Sequence, residues 1–378
     1  MVILSLSVAG AHTVRAQSVG PAAQTRPAEV SPAEMLTARQ WSRLDRSVQQ
    51  ALRWMASRQS PDGSFPTRPN GQPAVTAICV MAFMSAGHLP GKGEYGPALD
   101  RAIQYMLAAQ KPDGLLARAA PTASSDLNNL LTAQAAAYNH AITGLALSEL
   151  YGMSPDQNRR IKPVLDAALA YALRRQPFPK RQAGDNGGWR YVRRHQSSDS
   201  DLSVTSWYLM FLRSCKNAGF DVPSQTIDEG SAYVMRCFEP TTGYFWYALH
   251  GREHVTTRGM TGAGILSLSL AGRHQTPQAR QAGEWLLQHP YDHYRATRLH
   301  DRFFYGAFYS SNAMFQLGGR YWGEFYPVLL RTLTDNQKPD GSWDPERTSD
   351  AEYGNVYSSA LAVLALTPPY QLLPIFQR

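Results

Sequence analysis

The sequence predicts an all-α protein: a single (α/α)6 toroid, in which about six helical hairpins close into a double ring. Three observations predict it. The pentapeptide Gln-Lys-Pro-Asp-Gly stands at 110–114 and again at 337–341, and a close variant, Gln-Ser-Pro-Asp-Gly, stands at 59–63. Each copy follows an amphipathic apolar stripe. Each precedes a second stretch that is apolar on nearly every face.

The first stripe is Leu44, Val48, Leu52 and Met55, the spacing of one face of a helix. Pro-Asp-Gly then stops the helix, because Pro cannot continue the hydrogen-bond ladder and Gly accepts positive φ. Val75, Ile78, Cys79, Ala82 and Phe83 open the first inner helix. Leu99, Ile103, Met106 and Leu107 mark the next outer helix, and Ala141, Gly144, Leu145 and Leu147 the next inner one, with Tyr138-Asn139-His140 placed at its start. A helix over 164–175 leads through Gly184–Trp189 to a helix over 202–218. A helix over 226–237 leads through Glu239–Phe245 to one over 258–271. A helix over 277–288 leads through a Tyr- and His-rich loop to one over 305–317. Phe325, Leu329 and Leu333 form the last outer stripe, and Tyr357, Ala360, Leu361 and Leu364 the last inner one. Repeats of roughly 50–60 residues indicate a solenoid or a ring. Inner helices apolar all round favour closure, since an open array leaves one inner face wet.

A hydrophobic fraction of 43% with 17% charged residues supports a packed globular body and argues against disorder. The net charge is +8, and the densest basic stretch holds Arg174, Arg175, Lys180, Arg181, Arg190, Arg193 and Arg194. No groove-reading helix, zinc finger or RNA-binding signature accompanies it, so nucleic acid is not expected as a partner. A solvated face, or contact with an anionic substrate or the membrane periphery, fits better. Residues 1–16 resemble a secretory signal, 17–38 read as a flexible lead-in, and 39–378 as the toroid. Export to the periplasm or cell envelope is therefore expected. Cys79, Cys215 and Cys237 sit in apolar helical contexts and match neither a disulfide framework nor a metal motif.

The pattern Gln-x-x-x-Gly-x-Trp makes the chain recognisable. Gln337-x-x-x-Gly341-x-Trp343 has it in full. Gln59-x-x-x-Gly63-x-Phe65 carries Phe for Trp, Gln110-x-x-x-Gly114 carries Leu116, and Gly188-Trp189 and Gly243-x-Phe245 keep fragments. This resembles the repeat of the squalene–hopene cyclase and protein prenyltransferase superfamily, and in particular its short, single-toroid bacterial members. The resemblance implies that the Gln ties helix ends together while the aromatic ring stacks on the neighbouring repeat.

A squalene–hopene cyclase protonates its substrate with the middle Asp of an Asp-x-Asp-Asp motif. The nearest match is Asp199-Ser200-Asp201-Leu202, just before an inner helix, with Leu202 in place of the last Asp. By resemblance Asp201 is the acid and Asp199 its partner, since clustered carboxylates raise the pKa of one member. Asp201 also suits an N-cap. Trp207, Tyr208, Phe211, His140, Tyr305, Tyr309 and Tyr357 are the candidate cavity lining, where π faces stabilise carbocations; core packing explains them as well. The prenyltransferase zinc signature, Asp-x-Cys with a later His, is absent, so no metal and no cofactor are expected.

The leading reading is a terpenoid-cyclase-like isomerase acting on an isoprenoid or other apolar small molecule by proton-initiated carbocation chemistry. It calls for a deep aromatic pocket with Asp201 at its rim. A noncatalytic envelope module calls for a shallow or polar cavity and Asp201 bonded to backbone amides. A carbohydrate-active (α/α)6 enzyme calls for facing acids in a groove, with Asp185, Asn186, Arg190, Tyr191, His300, Asp301, Arg302 and Tyr305 as candidates.

Overall fold

A computed structural model describes residues 35–122, 127–153, 155–194, 196–296 and 301–378. The expected signal peptide and most of the lead-in lie outside them, as does His300. Among the described residues twelve α-helices alternate in two roles. The outer set is α1 (Ala38–Ser57), α3 (Gly96–Leu107), α5 (Pro155–Arg175), α7 (Ser224–Arg236), α9 (Pro277–Gln288) and α11 (Gly319–Asp335). The inner set is α2 (Ala74–Ser85), α4 (Leu127–Leu150), α6 (Leu202–Asn217), α8 (Arg258–Leu270), α10 (Phe303–Leu317) and α12 (Gly354–Leu366). Each inner helix packs on two inner neighbours, and α12 returns to α2, so the ring is closed. Every residue of α2 is buried, whereas α1 buries one stripe, as the apolar patterns predict.

The repeated turns close the ring by hydrogen bonds. Gln59 Nε2 donates to the Gly63 carbonyl (3.0 Å) and to Ala98 O at the next outer helix (2.8 Å). Gln110 and Gln176 do the same toward Val164 and Thr226 (2.8 Å each). Gln337 Nε2 reaches Gly341 O (2.8 Å) and, across the seam, Ser47 O on α1 (2.9 Å). Gly341 has φ 93°, and a Cβ there would stand 2.4 Å from Gln50 O, so only Gly fits.

A second bond ties each turn to its inner helix. The amides of Trp189 and Trp343 donate to the hydroxyls of Thr205 and Ser359 (3.0 Å each), and that of Phe245 to Thr261 (3.4 Å). In the second repeat the acceptor is a ring nitrogen: Leu116 N donates to His140 Nδ1 (3.1 Å). The three cysteines are free and buried, and no helix of the described residues is long and apolar enough to cross a membrane.

Two boundaries differ from the sequence reading by more than two residues. Tyr138-Asn139-His140 lies mid-helix, because α4 begins at Leu127. The Ala-rich run 133–137 has high helix propensity and holds no turn residue to start a helix later. The outer helix read as 164–175 begins at Pro155 and runs through Pro163.

Candidate functional site

The N-terminal turns of α2, α6, α8, α10 and α12 and the middle of α4 surround one cavity of about 360 Å³. Its walls come from α2 (Val75, Ile78), α4 (Tyr138, Ile142), α6 (Ser203, Trp207), α8 (Met260) and α10 (Tyr305). Tyr357 of α12 and Tyr353 at its N-cap complete the ring, and Tyr191, Tyr247, Glu253 and Val255 enter from the connecting segments. The volume is ordinary for a small-ligand site, roughly 300–1,000 Å³. Trp207 stacks on Phe308 (5.3 Å between centroids, 7° between planes) and donates through Nε1 to the Tyr305 hydroxyl (2.9 Å). Tyr138 donates to Ser203 Oγ (2.9 Å), which lies 2.7 Å from the Tyr305 hydroxyl. These bonds fix the aromatic faces that border the cavity.

Helix N-termini attract negative charge, and carboxylates gather at this end. Glu346 caps α10 from a distance: its oxygens accept the amides of Phe303 (2.9 Å), Phe304 (2.7 Å) and Tyr305 (3.3 Å). Burial nonetheless pushes it up to about 7. Asp301 accepts the Arg258 amide (2.8 Å) and pairs with that residue's Nε (2.5 Å). Asp350 pairs with Arg302 (2.8 Å) on the cavity wall.

Asp201 is the N-cap of α6. Its Oδ1 accepts the Val204 amide (2.7 Å), as capping predicts. Its Oδ2 makes no hydrogen bond of ordinary geometry among the described residues, although the Tyr247 hydroxyl stands close enough to favour its charged form. Arg190 Nε lies 3.8 Å away, but that guanidinium grips Glu253 through NH2 (2.8 and 2.6 Å). Burial therefore dominates. It lifts the Asp201 carboxyl to about 6, against the pull of Arg190, the Val204 amide and the nearby Tyr247 hydroxyl.

The structure places the predicted residues unevenly. Trp207, Tyr305 and Tyr357 border the cavity. Asp201 does not stand at the rim: it is fully buried, one layer back, behind Tyr247 and Ser203. Asp199 is not its partner. Its carboxylate is held by Arg181, through the backbone amide (2.7 Å), Nε (2.9 Å) and NH2 (2.9 Å); although burial opposes it, that clamp keeps Asp199 below the usual carboxylate range. Tyr208 stacks on the repeat residue Trp189 (5.2 Å, 13°), and Phe211 fills the space against Gly144, where a Cβ would meet its ring at 2.7 Å. Tyr309 packs behind Tyr305 and Trp207. His140 is buried among Tyr171, Tyr208 and Phe211. Burial holds it down to about 3, so it is a neutral acceptor for the Leu116 turn.

Of the carbohydrate candidates, Asp185 is a buried acceptor for Asp199 N (2.7 Å) and Asp301 a helix-end partner of Arg258. Tyr191 and Arg302 do reach the cavity. Sequence reasoning missed Tyr247, Glu253, Asp350 and Glu346. They lie in connecting segments between outer and inner helices, outside any periodic pattern. Their place in the segments that lead from an outer to an inner helix is the signal that was there to use.

No family model matches the chain. A drimenyl diphosphate synthase of Streptomyces showdoensis is 26% identical over 198 residues, 52% of this chain and 32% of that protein. The chain thus spans about a third of the length of that curated relative. Among solved structures, a variant of the type II terpene cyclase MstE from Scytonema, bound to geranylgeranyl dihydroxybenzoate, superposes with TM-score 0.52 at 13% identity, over 89% of this chain and all of that one. The chain has the terpenoid-cyclase-like (α/α)6 toroid fold. The same architecture serves sugar chemistry: an alpha-1,6-mannanase variant of Salegentibacter sp., in complex with alpha-1,6-mannotriose, gives TM-score 0.59 at 11% identity, over 86% and 99% of the two chains. The toroid is therefore common ground, and the site must discriminate between activities.

Proposed function

We propose that this α-toroid is a terpenoid-cyclase-like isomerase that closes an isoprenoid chain by proton-initiated carbocation chemistry. The observation that carries the reading is a carboxyl raised to about 6 directly behind an aromatic cavity at the inner-helix N-termini. Asp201, protonated, is the proton source. Tyr247 stands between it and the cavity, and burial keeps that phenol far above its ordinary range and hence protonated. In the proposed step Tyr247 gives its proton to the CH carbon of the terminal trisubstituted alkene as Asp201 reprotonates the phenol oxygen. The alkene becomes a tertiary cation, a neighbouring π bond closes on it, the product cation loses a proton to water, and Asp201 regains its proton from water. The faces of Trp207, Tyr138 and Tyr305 stabilise the positive charge. The step needs no cofactor, and substrate and product are isomers. We further propose that the chain is exported, on the strength of its N-terminal sequence.

Glycoside hydrolysis is the second reading, favoured by the mannanase likeness. Two carboxylates, Glu253 and Asp350, do border the cavity. Both are held by arginines, Arg190 and Arg302. A glycosidase needs two carboxyl groups placed to act on the two sides of one glycosidic bond, so their engagement in ion pairs weighs against it.

The test compares wild type with Asp201→Asn and Tyr247→Phe on squalene and on farnesyl and geranylgeranyl compounds, with alpha-1,6-mannan in parallel. A cyclic isomer from wild type alone supports the proposal. Equal product from all three proteins, or cleavage of mannan alone, refutes it.

A further inference from the structure

The basic stretch singled out in the sequence folds into a pocket of its own. Arg175, Lys180, Arg193 and Arg194 surround a space of about 290 Å³ beside Phe178, with Arg190 and Tyr191 at its back. Its one lining carboxylate, Asp199, is already clamped by Arg181.

Three of these cations bond only to neutral acceptors. Lys180 Nζ donates to the carbonyls of Gly188 (3.0 Å) and Asp199 (3.2 Å), which leaves its third N–H unspent. Arg175 donates to the carbonyls of Tyr191 (3.1 Å) and Val192 (2.9 Å), and Arg194 to that of Pro179 (2.9 Å). No carboxylate among the described residues lies within ion-pair distance of Arg175, Lys180 or Arg194. Both guanidinium groups also sit over Phe178, at 5.1 and 5.8 Å, and hold that exposed ring at the pocket mouth. Like charges so concentrated repel one another unless an anion joins them.

We propose that this pocket is a binding site for a phosphate or diphosphate group. A phosphoryl group offers several acceptor oxygens and up to two charges. That matches forked guanidinium donors arriving from two directions and an ammonium from a third. The state of Lys180 agrees. Burial pulls it down to about 8, with Arg175 adding to the lowering and Asp185, Asp199 and Asp201 opposing it; a bound anion relieves that strain on its charge.

The phosphoryl group has two possible sources, a free anion or the head of a larger ligand. Tyr191 walls both this pocket and the aromatic cavity, so an isoprenyl diphosphate is the larger ligand to test. Only that arm rests on the cyclase reading.

The experiment is isothermal titration calorimetry of the full chain with inorganic diphosphate. Wild type is expected to bind saturably. Lys180→Gln and Arg194→Gln are expected to bind about tenfold or more weakly, the loss of one charge-assisted contact. Arg194 is exposed and makes one backbone bond, so its variant keeps the fold. Arg320→Gln, on the outer helix α11 where Arg320 pairs with Glu284, is the control and should bind as wild type does. No saturable binding, or equal affinity in wild type and both pocket variants, overturns the site. In the second arm, farnesyl diphosphate that binds more tightly than diphosphate and is displaced by it marks the group as an isoprenoid head. Equal affinity for the two marks a free anion. Farnesyl diphosphate that binds no better than farnesol, undisturbed by diphosphate, contradicts the site.

Discussion

Asp201→Asn separates the role of Asp201 as a cap from its role as an acid. Asn keeps the shape and the capping oxygen, and is as good an N-cap as Asp. It removes only the titration. The Asp201 carboxyl lies at about 6 in the folded protein against its ordinary 3.8. Between those values the folded chain holds a proton that the unfolded chain has lost, so wild-type stability falls as pH rises through the window. The shift is about 2 pH units, worth about 1.4 kcal/mol each, or about 3 kcal/mol in all. The group is fully buried, so solvent screening takes little from this figure. Glu346 titrates over a similar range, from 4.5 to about 7, but it is present in both proteins and cancels in the difference. Urea unfolding at pH 3.5 and pH 7.5 measures it. The two proteins should be equally stable at the lower pH, and the Asn variant more stable by about 3 kcal/mol at the higher one. A difference that stays flat between the two pH values refutes the claim that Asp201 is a strained, proton-holding acid, and leaves it an ordinary cap.

Other outcomes follow from the same geometry. Gln337→Ala removes three hydrogen bonds, two that join α1 to the last turn (Ser47 Oγ to Oε1 and Nε2 to Ser47 O) and one within that turn, and should cost about 3 kcal/mol in urea unfolding. Gly341→Ala should cost more than Gly152→Ala. Both have strongly positive φ, but a Cβ at 341 meets Gln50 O at 2.4 Å whereas one at 152 meets nothing within 4 Å; equal melting temperatures would contradict the packing. His140→Ala strands the Leu116 amide and should cost about 1–3 kcal/mol at pH 8; because burial holds the folded imidazole down to about 3 against an ordinary 6.5, wild type alone loses stability as pH falls below 6.5, and the cost should shrink by about 2 kcal/mol by pH 5. Turnover of an isoprenoid should fall as pH rises through about 6, since the protonated form of Asp201 is the active one.

The ring was legible because the physics that builds it is periodic. Gln59, Gln110 and Gln337 recur at fixed distance from a Gly that must take positive φ, and the inner stretches are apolar on every face. The predicted helix over 277–288 and the start of α6 at Leu202 coincide with the structure. Gln176 was missed because eleven residues, not four, separate it from Gly187, yet it makes the same pair of bonds. The site was less legible. Asp201 lies at the inner-helix start that the motif implied, but depth is a tertiary property. Nothing local says that Tyr247 and Glu253, from a loop some fifty residues later, come between it and the cavity. His140 misled for a related reason. A buried imidazole that takes the place of a repeat Ser or Thr has the same sequence appearance as a ligand-facing one.

The claim that this toroid isomerises an isoprenoid with a proton delivered by way of Asp201 is tested most directly by mass spectrometry of products formed in D2O. The account predicts a cyclic isomer carrying one solvent deuterium at the methylene formed from the protonated alkene CH, made by wild type and lost in Asp201→Asn. A product without deuterium, or deuterated product formed equally by Asp201→Asn, would contradict it.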